Sequence, residues 1–274
     1  MSHTSSSFDW DDFHLHAIVD DLAENQRWST WDDVERLQRG PAPWPDWIVT
    51  SAGAIDTDLG VLKTGKEADV SLLERAVPGD PDQWSLLAAK RYRASDHRLF
   101  HRDAGYTEGR KVRNSRDNRA IERKSAHGRA PEADLWAQAE WVALKVLFTA
   151  GVSVPYPVQI DGRELLMEFI AEGDAAAPRL HQVRPASDEL AELFDQLLAA
   201  LRTMAQLGVV HGDLSPYNIL VRGTGGTEPR VVIIDVPQLV DLAANANAVE
   251  FLHRDCTNLA RWFTSKGHGV DADE

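Results

Sequence analysis

The 274 residues include 29 Lys and Arg against 43 Asp and Glu, a formal net charge of −14, with 43% hydrophobic residues and one cysteine. That length allows one large domain or two lobes, and the composition is that of a globular chain. So acidic a balance argues against a general nucleic-acid binder, and the lone Cys256 excludes an intrachain disulfide. No run has the length of a membrane span, and MSHTSSSFDWDD lacks a basic start and an apolar core, so no signal peptide and a cytoplasmic protein are expected.

Residues 1–8 read as a polar end. From there to about Gly40, acids and Trp10, Trp28 and Trp31 recur at a spacing that suggests two short helices. Gly40 to Trp47 is proline-rich and reads as a linker, so residues 1–50 form a helical extension whose tryptophans cover a core surface. A stacking platform for bases is the remote alternative.

From Ala54 the pattern changes. Gly60 to Leu62 leads into Lys63-Thr64-Gly65-Lys66-Glu67-Ala68-Asp69-Val70, which predicts a strand, a tight glycine turn and a second strand. It is not a Walker sequence. Its backbone amides with Thr64 or Lys66 could cover phosphates, or it is a plain hairpin. Trp84 to Tyr92, WSLLAAKRY, predicts a strand ending near Lys90. A lysine reaching from a sheet into a cleft suits nucleotide α/β-phosphates, although most lysines are simply solvated.

Residues 90–129 hold 13 Lys and Arg against 5 Asp and Glu. A basic insertion over about 94–130 is expected to be mobile and solvated. The alternative is that 110–124 contacts a phosphorylated or RNA-containing partner. Pro131 then opens a helix that Gly151 stops, with Trp136, Glu140, Ala143 and Leu147 on one face. Glu140 either fixes a cleft lysine or is a boundary acid in water.

Val152–Ile160 and Glu164–Ile170 predict two strands joined at Asp161-Gly162, a good hairpin turn. Ala171-Glu172-Gly173 reads as a hinge between lobes whose backbone could meet an adenine edge. Ser187 is expected to cap a helix whose apolar positions run from Leu190 to Met204. A last helix is expected over about Ala248 to Phe263, followed by a polar tail at 266–274.

The chain is organised around Val209–Leu220, VVHGDLSPYNIL, and the β-branched run Val231–Ile234 that ends in Asp235. Asp213 and Asn218 have the spacing of a phosphoryl-transfer loop, in which the Asp takes a hydroxyl proton and the Asn holds a metal. Mg²⁺ wants few, hard oxygen ligands, and Asn218 with Asp235 offers such a pair. Asp213 would then orient the attacking hydroxyl. The bland alternative is a turn rich in solvated acids and amides.

These residues carry a family likeness. KTGKEADV at 63–70, the Lys90 strand, AEWVAL at 139–144, AGVSVPYPV at 150–158, LLMEFI at 165–170, HGDLSPYNIL at 211–220 and IDVPQ at 234–238 occur in order over about residues 54–263. The chain resembles the RIO family of atypical serine/threonine protein kinases, closest to its first subfamily, and looks like a bacterial member.

The resemblance implies an α+β, two-lobed protein-kinase-like fold. A β-rich N-lobe is expected at 51–170, and a reduced, mostly helical C-lobe at 171–265. It further implies that Thr64, Lys66 and Val70 sit in the nucleotide cover. Lys90 contacts the phosphates and pairs with Glu140, and Glu168 and Ile170 present backbone groups to adenine. Asp213 is the proton acceptor, and Asn218 and Asp235 hold Mg²⁺, with Mn²⁺ as a substitute. The Asp matching Asp235 is also described in this family as forming a phosphoaspartate.

The expected activity is transfer of the ATP γ-phosphate to a protein hydroxyl, autophosphorylation included. One alternative is an ATPase switch acting on a ribosomal or other ribonucleoprotein assembly. Another is a small-molecule kinase of the aminoglycoside or choline type, for which the 36 residues after Gln238 leave little acceptor room. A pseudokinase scaffold is disfavoured by the complete polar set.

Overall fold

The computed structural model describes residues 22–93, 132–223, 228–237 and 239–271. The basic stretch at 110–124 and the first expected helix therefore lie outside the described residues.

A six-stranded antiparallel sheet forms the N-lobe, in the order β1-β2-β3-β4-β6-β5. Its strands are β1 (Gln26–Trp28), β2 (Ile55–Thr64), β3 (Ala68–Val77), β4 (Asp80–Tyr92), β5 (Pro157–Asp161) and β6 (Glu164–Glu168). The turn from β2 to β3 needs glycine, because a Cβ on Gly65 would lie 2.8 Å from the Ala68 carbonyl oxygen. Helix α1 (Glu132–Thr149) packs on the sheet through Ala137, Trp141, Leu144 and Leu147, all buried.

The C-lobe follows a small ribbon, β7 (Ala171–Glu172) and β8 (Ala175–Ala176), that turns at Gly173. It holds α2 (Ser187–Gln206), β9 (Val209–Val210), β10 (Ile219–Arg222), β11 (Arg230–Ile233), β12 (Val240–Asp241) and α3 (Ala248–Ser265). β10 pairs with β11, and β9 with β12. One apolar core runs through both lobes, joining Leu144, Leu147, Ile160 and Leu165 to Leu190, Leu193, Ile233 and Phe263. Between the lobes, the Ile233 N–H donates to the Ser153 carbonyl at 2.8 Å. No helix among the described residues is long and apolar enough to cross a membrane.

Three local expectations need correction. The stretch around Trp28 and Trp31 is not helical: Gln26–Trp28 pairs with β2, and a 3₁₀ turn spans Arg36–Gln38. Cross-strand pairing to a distant partner outweighs weak local helical spacing. The proline-rich linker is also packed. Gly40 N–H donates to the Val158 carbonyl at 2.9 Å, Tyr156 Oη to Pro41 O at 2.8 Å, and Trp44 meets Trp31 edge-on at 5.0 Å.

Secondly, residues 152–156 are extended without strand pairing, so β5 starts only at Pro157. Finally, Ser187 is the first residue of α2 rather than its cap. The N-cap is Ala186, whose N–H donates to Glu189 Oε2 at 2.9 Å, so the acid three residues on does the capping.

Candidate active site

Lys63 on β2, Val70 on β3 and Lys90 on β4 are direct cross-strand partners. Such partners share one face of a sheet. That face looks across to Asp235, because Lys90 Nζ donates to Asp235 Oδ1 at 2.8 Å. It also donates to Glu140 Oε1 at 2.8 Å. Glu140, projecting from α1, has a side chain only 2% exposed and accepts a further bond from the Tyr92 hydroxyl. It is a buried pairing acid, not a boundary acid in water.

The charges hold each other. Burial alone would push the Lys90 ammonium down, but Glu140 and Asp235 outweigh it and raise its pKa. Burial works against the Asp235 carboxylate too, yet Lys90 and then Lys63 keep it below the ordinary carboxylate value. Burial first, and then the nearby Arg179 guanidinium, lower the Lys63 ammonium.

Asp235 lies two residues beyond β11 with φ 64°, the one left-handed non-glycine among the described residues. That conformation is uncommon outside glycine, though Asp and Asn tolerate it best. It ends the extended path of the strand, and the side chain stays 44% exposed beside Lys90.

The loop from His211 to Asn218 is pinned from below. Gly212 has φ 83°, a value that favours glycine. The Asp213 N–H donates to His211 Nδ1 at 3.3 Å, so the proton of the buried imidazole sits on Nε2, which donates to the Ile234 carbonyl at 3.2 Å. Asp255 of α3 accepts the Gly212 and Leu214 N–H groups, each at 2.8 Å. Arg254 donates to the Gly212 carbonyl, and Asn258 to that of Leu214 at 3.2 Å. The backbone on both sides of Asp213 is thus fixed while Asp213 itself is exposed.

Asn218 Nδ2 donates to the Asp213 carbonyl at 3.0 Å, which aims its amide and leaves Oδ1 for another partner. The Ile234 N–H donates to the Asn218 carbonyl at 2.9 Å, setting Asn218 beside Asp235. One amide oxygen and one carboxylate suit Mg²⁺, which binds few protein ligands and fills its shell with phosphate oxygens and water.

At the hinge, the Glu168 N–H donates to the Tyr156 carbonyl and the Ile170 carbonyl accepts from the Ala177 N–H, both at 2.9 Å. The backbone group Ile170 can offer a ligand is therefore its N–H. The Glu168 carboxylate takes the Tyr156 N–H at 3.2 Å and Arg222 at 3.3 Å. Thr64 pairs with Asp69 at the tip of the β2–β3 hairpin, and Lys66 is exposed in the turn. Neither is bonded to the Lys90 cluster.

The structure thus gathers Lys90, Glu140, Asp235, Asp213 and Asn218, with Val70 in the Lys90 row and Glu168 opposite Leu87, three residues before Lys90 on β4. Sequence reading missed Lys63, Arg254, Asp255 and Asn258. Asp255 left one legible trace: it shares a helical face with Leu252 and Leu259, an acid on an apolar stripe.

A β-rich lobe and a helical lobe meeting at a lysine–carboxylate cluster define a kinase-like α+β fold. The RIO domain profile matches residues 87–274, and the chain belongs to the RIO family. The RIO-type serine/threonine-protein kinase Rio1 of Haloferax volcanii is 34% identical over 223 residues, 81% of this chain and 68% of that one. Human serine/threonine-protein kinase RIO1 is 37% identical over 129 residues, 47% of this chain and 22% of that one. RIO3 of Caenorhabditis elegans is 28% identical over 225 residues. The chain spans 39% of that relative, so the two animal proteins extend far beyond the shared region. Among solved structures, the Rio2 kinase of Chaetomium thermophilum superposes with a TM-score of 0.54 at 23% identity, over 78% of this chain and 58% of that one.

Proposed function

We propose that this chain is an ATP-dependent serine/threonine protein kinase that moves the γ-phosphate of ATP to a protein hydroxyl, its own included. The observation that carries the reading is the pair of hydrogen bonds that Lys90 donates to Glu140 and Asp235, set across from the Asp213–Asn218 loop. In this reading Lys90 holds the nucleotide phosphates and Glu140 aims it. Glu168 and Ile170 meet the adenine edge through their backbone, with Thr64, Lys66 and Val70 in the cover. Asp213 accepts the acceptor's hydroxyl proton as that oxygen bonds to the γ-phosphorus and the bond to the ADP oxygen breaks. Asn218 and Asp235 would hold Mg²⁺, which would supply neutralisation of the phosphate charge when bound, and Mn²⁺ is the proposed substitute.

A second reading has one observation behind it. The Chaetomium Rio2 kinase was solved as an ADP/Mg²⁺-phosphoaspartate complex, and the Asp235 carboxylate is reachable here. An Asp235 oxygen would bond to the γ-phosphorus as ADP leaves, and water would then split the acyl phosphate, giving an ATPase. The proposed acceptor is a protein. A ribosomal or RNA-containing partner at the basic stretch 110–124 rests on its charge alone.

The experiment is incubation of the purified protein with γ-labelled ATP and Mg²⁺. Acid-stable phosphoserine or phosphothreonine is expected. Free phosphate with only a hydroxylamine-cleaved acyl phosphate on the protein supports the ATPase instead, and no turnover of any kind overturns both.

A further inference from the structure

We propose that Tyr92 is a positioning residue for nucleotide binding: it holds Glu140 so that Glu140 can aim Lys90. The proposal rests on the kinase reading above and deepens it. Lys90 and Tyr92 are two residues apart on β4, so both side chains leave the same face of the strand. Both reach the same acid on α1. Lys90 takes Glu140 Oε1 at 2.8 Å, and the Tyr92 hydroxyl donates to Oε2. The ammonium also lies 5.3 Å from the centre of the Tyr92 ring. The site is deep, with Tyr92 5% and Glu140 1% exposed.

A carboxylate held by one donor can turn about its last side-chain bond. One held through both oxygens from the same strand cannot, and the helix that carries it is fixed to that strand. The opposite residue on β3 is Ala68, whose small side chain leaves room for the ring. A tyrosine that merely filled the core could satisfy its hydroxyl on any acceptor. This one uses the carboxylate that sets the lysine. Lys90–Glu140 pairing is thereby built into the fold, with no modification needed to bring α1 into place.

The test is a double-mutant cycle on Mg-ADP affinity, measured by calorimetry on the full chain. Tyr92→Phe keeps the ring and removes the donor. It is expected to weaken Mg-ADP about tenfold, the scale of one lost bond to a charged group. In a Glu140→Gln background the same change is expected to cost less than twofold, because the pair it serves is already broken. Thermal melts on all four proteins separate stability from positioning. A lower melting temperature with unchanged Mg-ADP affinity in Tyr92→Phe overturns the proposal, as does an equal tenfold loss in the Gln background. A wild-type chain that binds no Mg-ADP overturns the kinase reading itself, and this proposal with it.

Discussion

At the scale of single residues, the His211–Asn218 loop depends on an acid outside it. Asp255 supplies both oxygens to backbone N–H groups that flank Asp213. Asp255→Ala would leave two buried donors without acceptors, at a cost of about 1–3 kcal/mol each. The expected outcome is a drop in phosphoryl transfer of at least about tenfold together with a lower urea midpoint. Steady-state assays and urea unfolding check it. Asp213, Asn218 and Asp235 could be picked out of the sequence as a group because the proposed loop chemistry uses those types at a fixed spacing, and the fold brings them together. Asp255 was far harder to pick out, because its partners are backbone groups more than forty residues away whose sequence leaves no mark. Lys63 was passed over for its neighbours Thr64 and Lys66. A bulge between Val61 and Lys63 resets the pairing, and only the register puts Lys63 in the Lys90 row.

Among the elements, two charge networks bind the N-terminal segment to the sheet. Arg75 on β3 is fully buried, donating to both Asp56 oxygens at 2.6 and 2.9 Å and to Gln159 at 2.8 Å. Gln159 in turn donates to Thr30 Oγ1 at 2.8 Å. Arg75→Met leaves Asp56 buried with only the longer 3.6 Å contact to Arg27, and is expected to cost about 3 kcal/mol in urea unfolding.

Glu164 is the second tie, taking Arg27 of β1 and Arg91 of β4. Burial raises its pKa, but the two guanidinium groups win and hold it low. A depressed carboxyl stabilises the fold above its unfolded pKa of about 4.3, and that contribution is lost as pH falls through the folded value. Glu164→Gln is therefore expected to flatten the acid side of a melting-temperature-against-pH profile. An unchanged acid limb would remove this assignment. The helices and hairpins with strong local periodicity were readable from sequence. The first strand was not, because three residues from Gln26 to Trp28 carry no period and gain their structure only from β2.

For the whole molecule, the cleft is bridged by Lys90 from the sheet and Asp235 from the C-lobe, and a shared core runs beneath it. A ligand that binds only the folded state stabilises it by mass action, about 2.7 kcal/mol at a hundredfold excess over Kd. Mg-ATP is therefore expected to raise the melting temperature, ATP with a chelator to raise it less, and Asn218→Ala with Asp235→Asn to abolish the magnesium-dependent part. A thermal-shift titration checks this. The two-lobed plan followed from the order of the motifs. The packing of the N-terminal segment onto β5 did not, since each contact joins residues far apart in the chain.

The most direct measurement compares single-turnover transfer of the γ-phosphate by wild type and Asp213→Asn, with Mg-ADP affinity measured alongside. The Asp213 carboxylate, the proposed proton acceptor, is predicted to be dispensable for holding nucleotide and needed for transfer. Affinity should stay within about twofold while transfer falls by at least about a hundredfold. Transfer at the wild-type rate by Asp213→Asn would contradict the account.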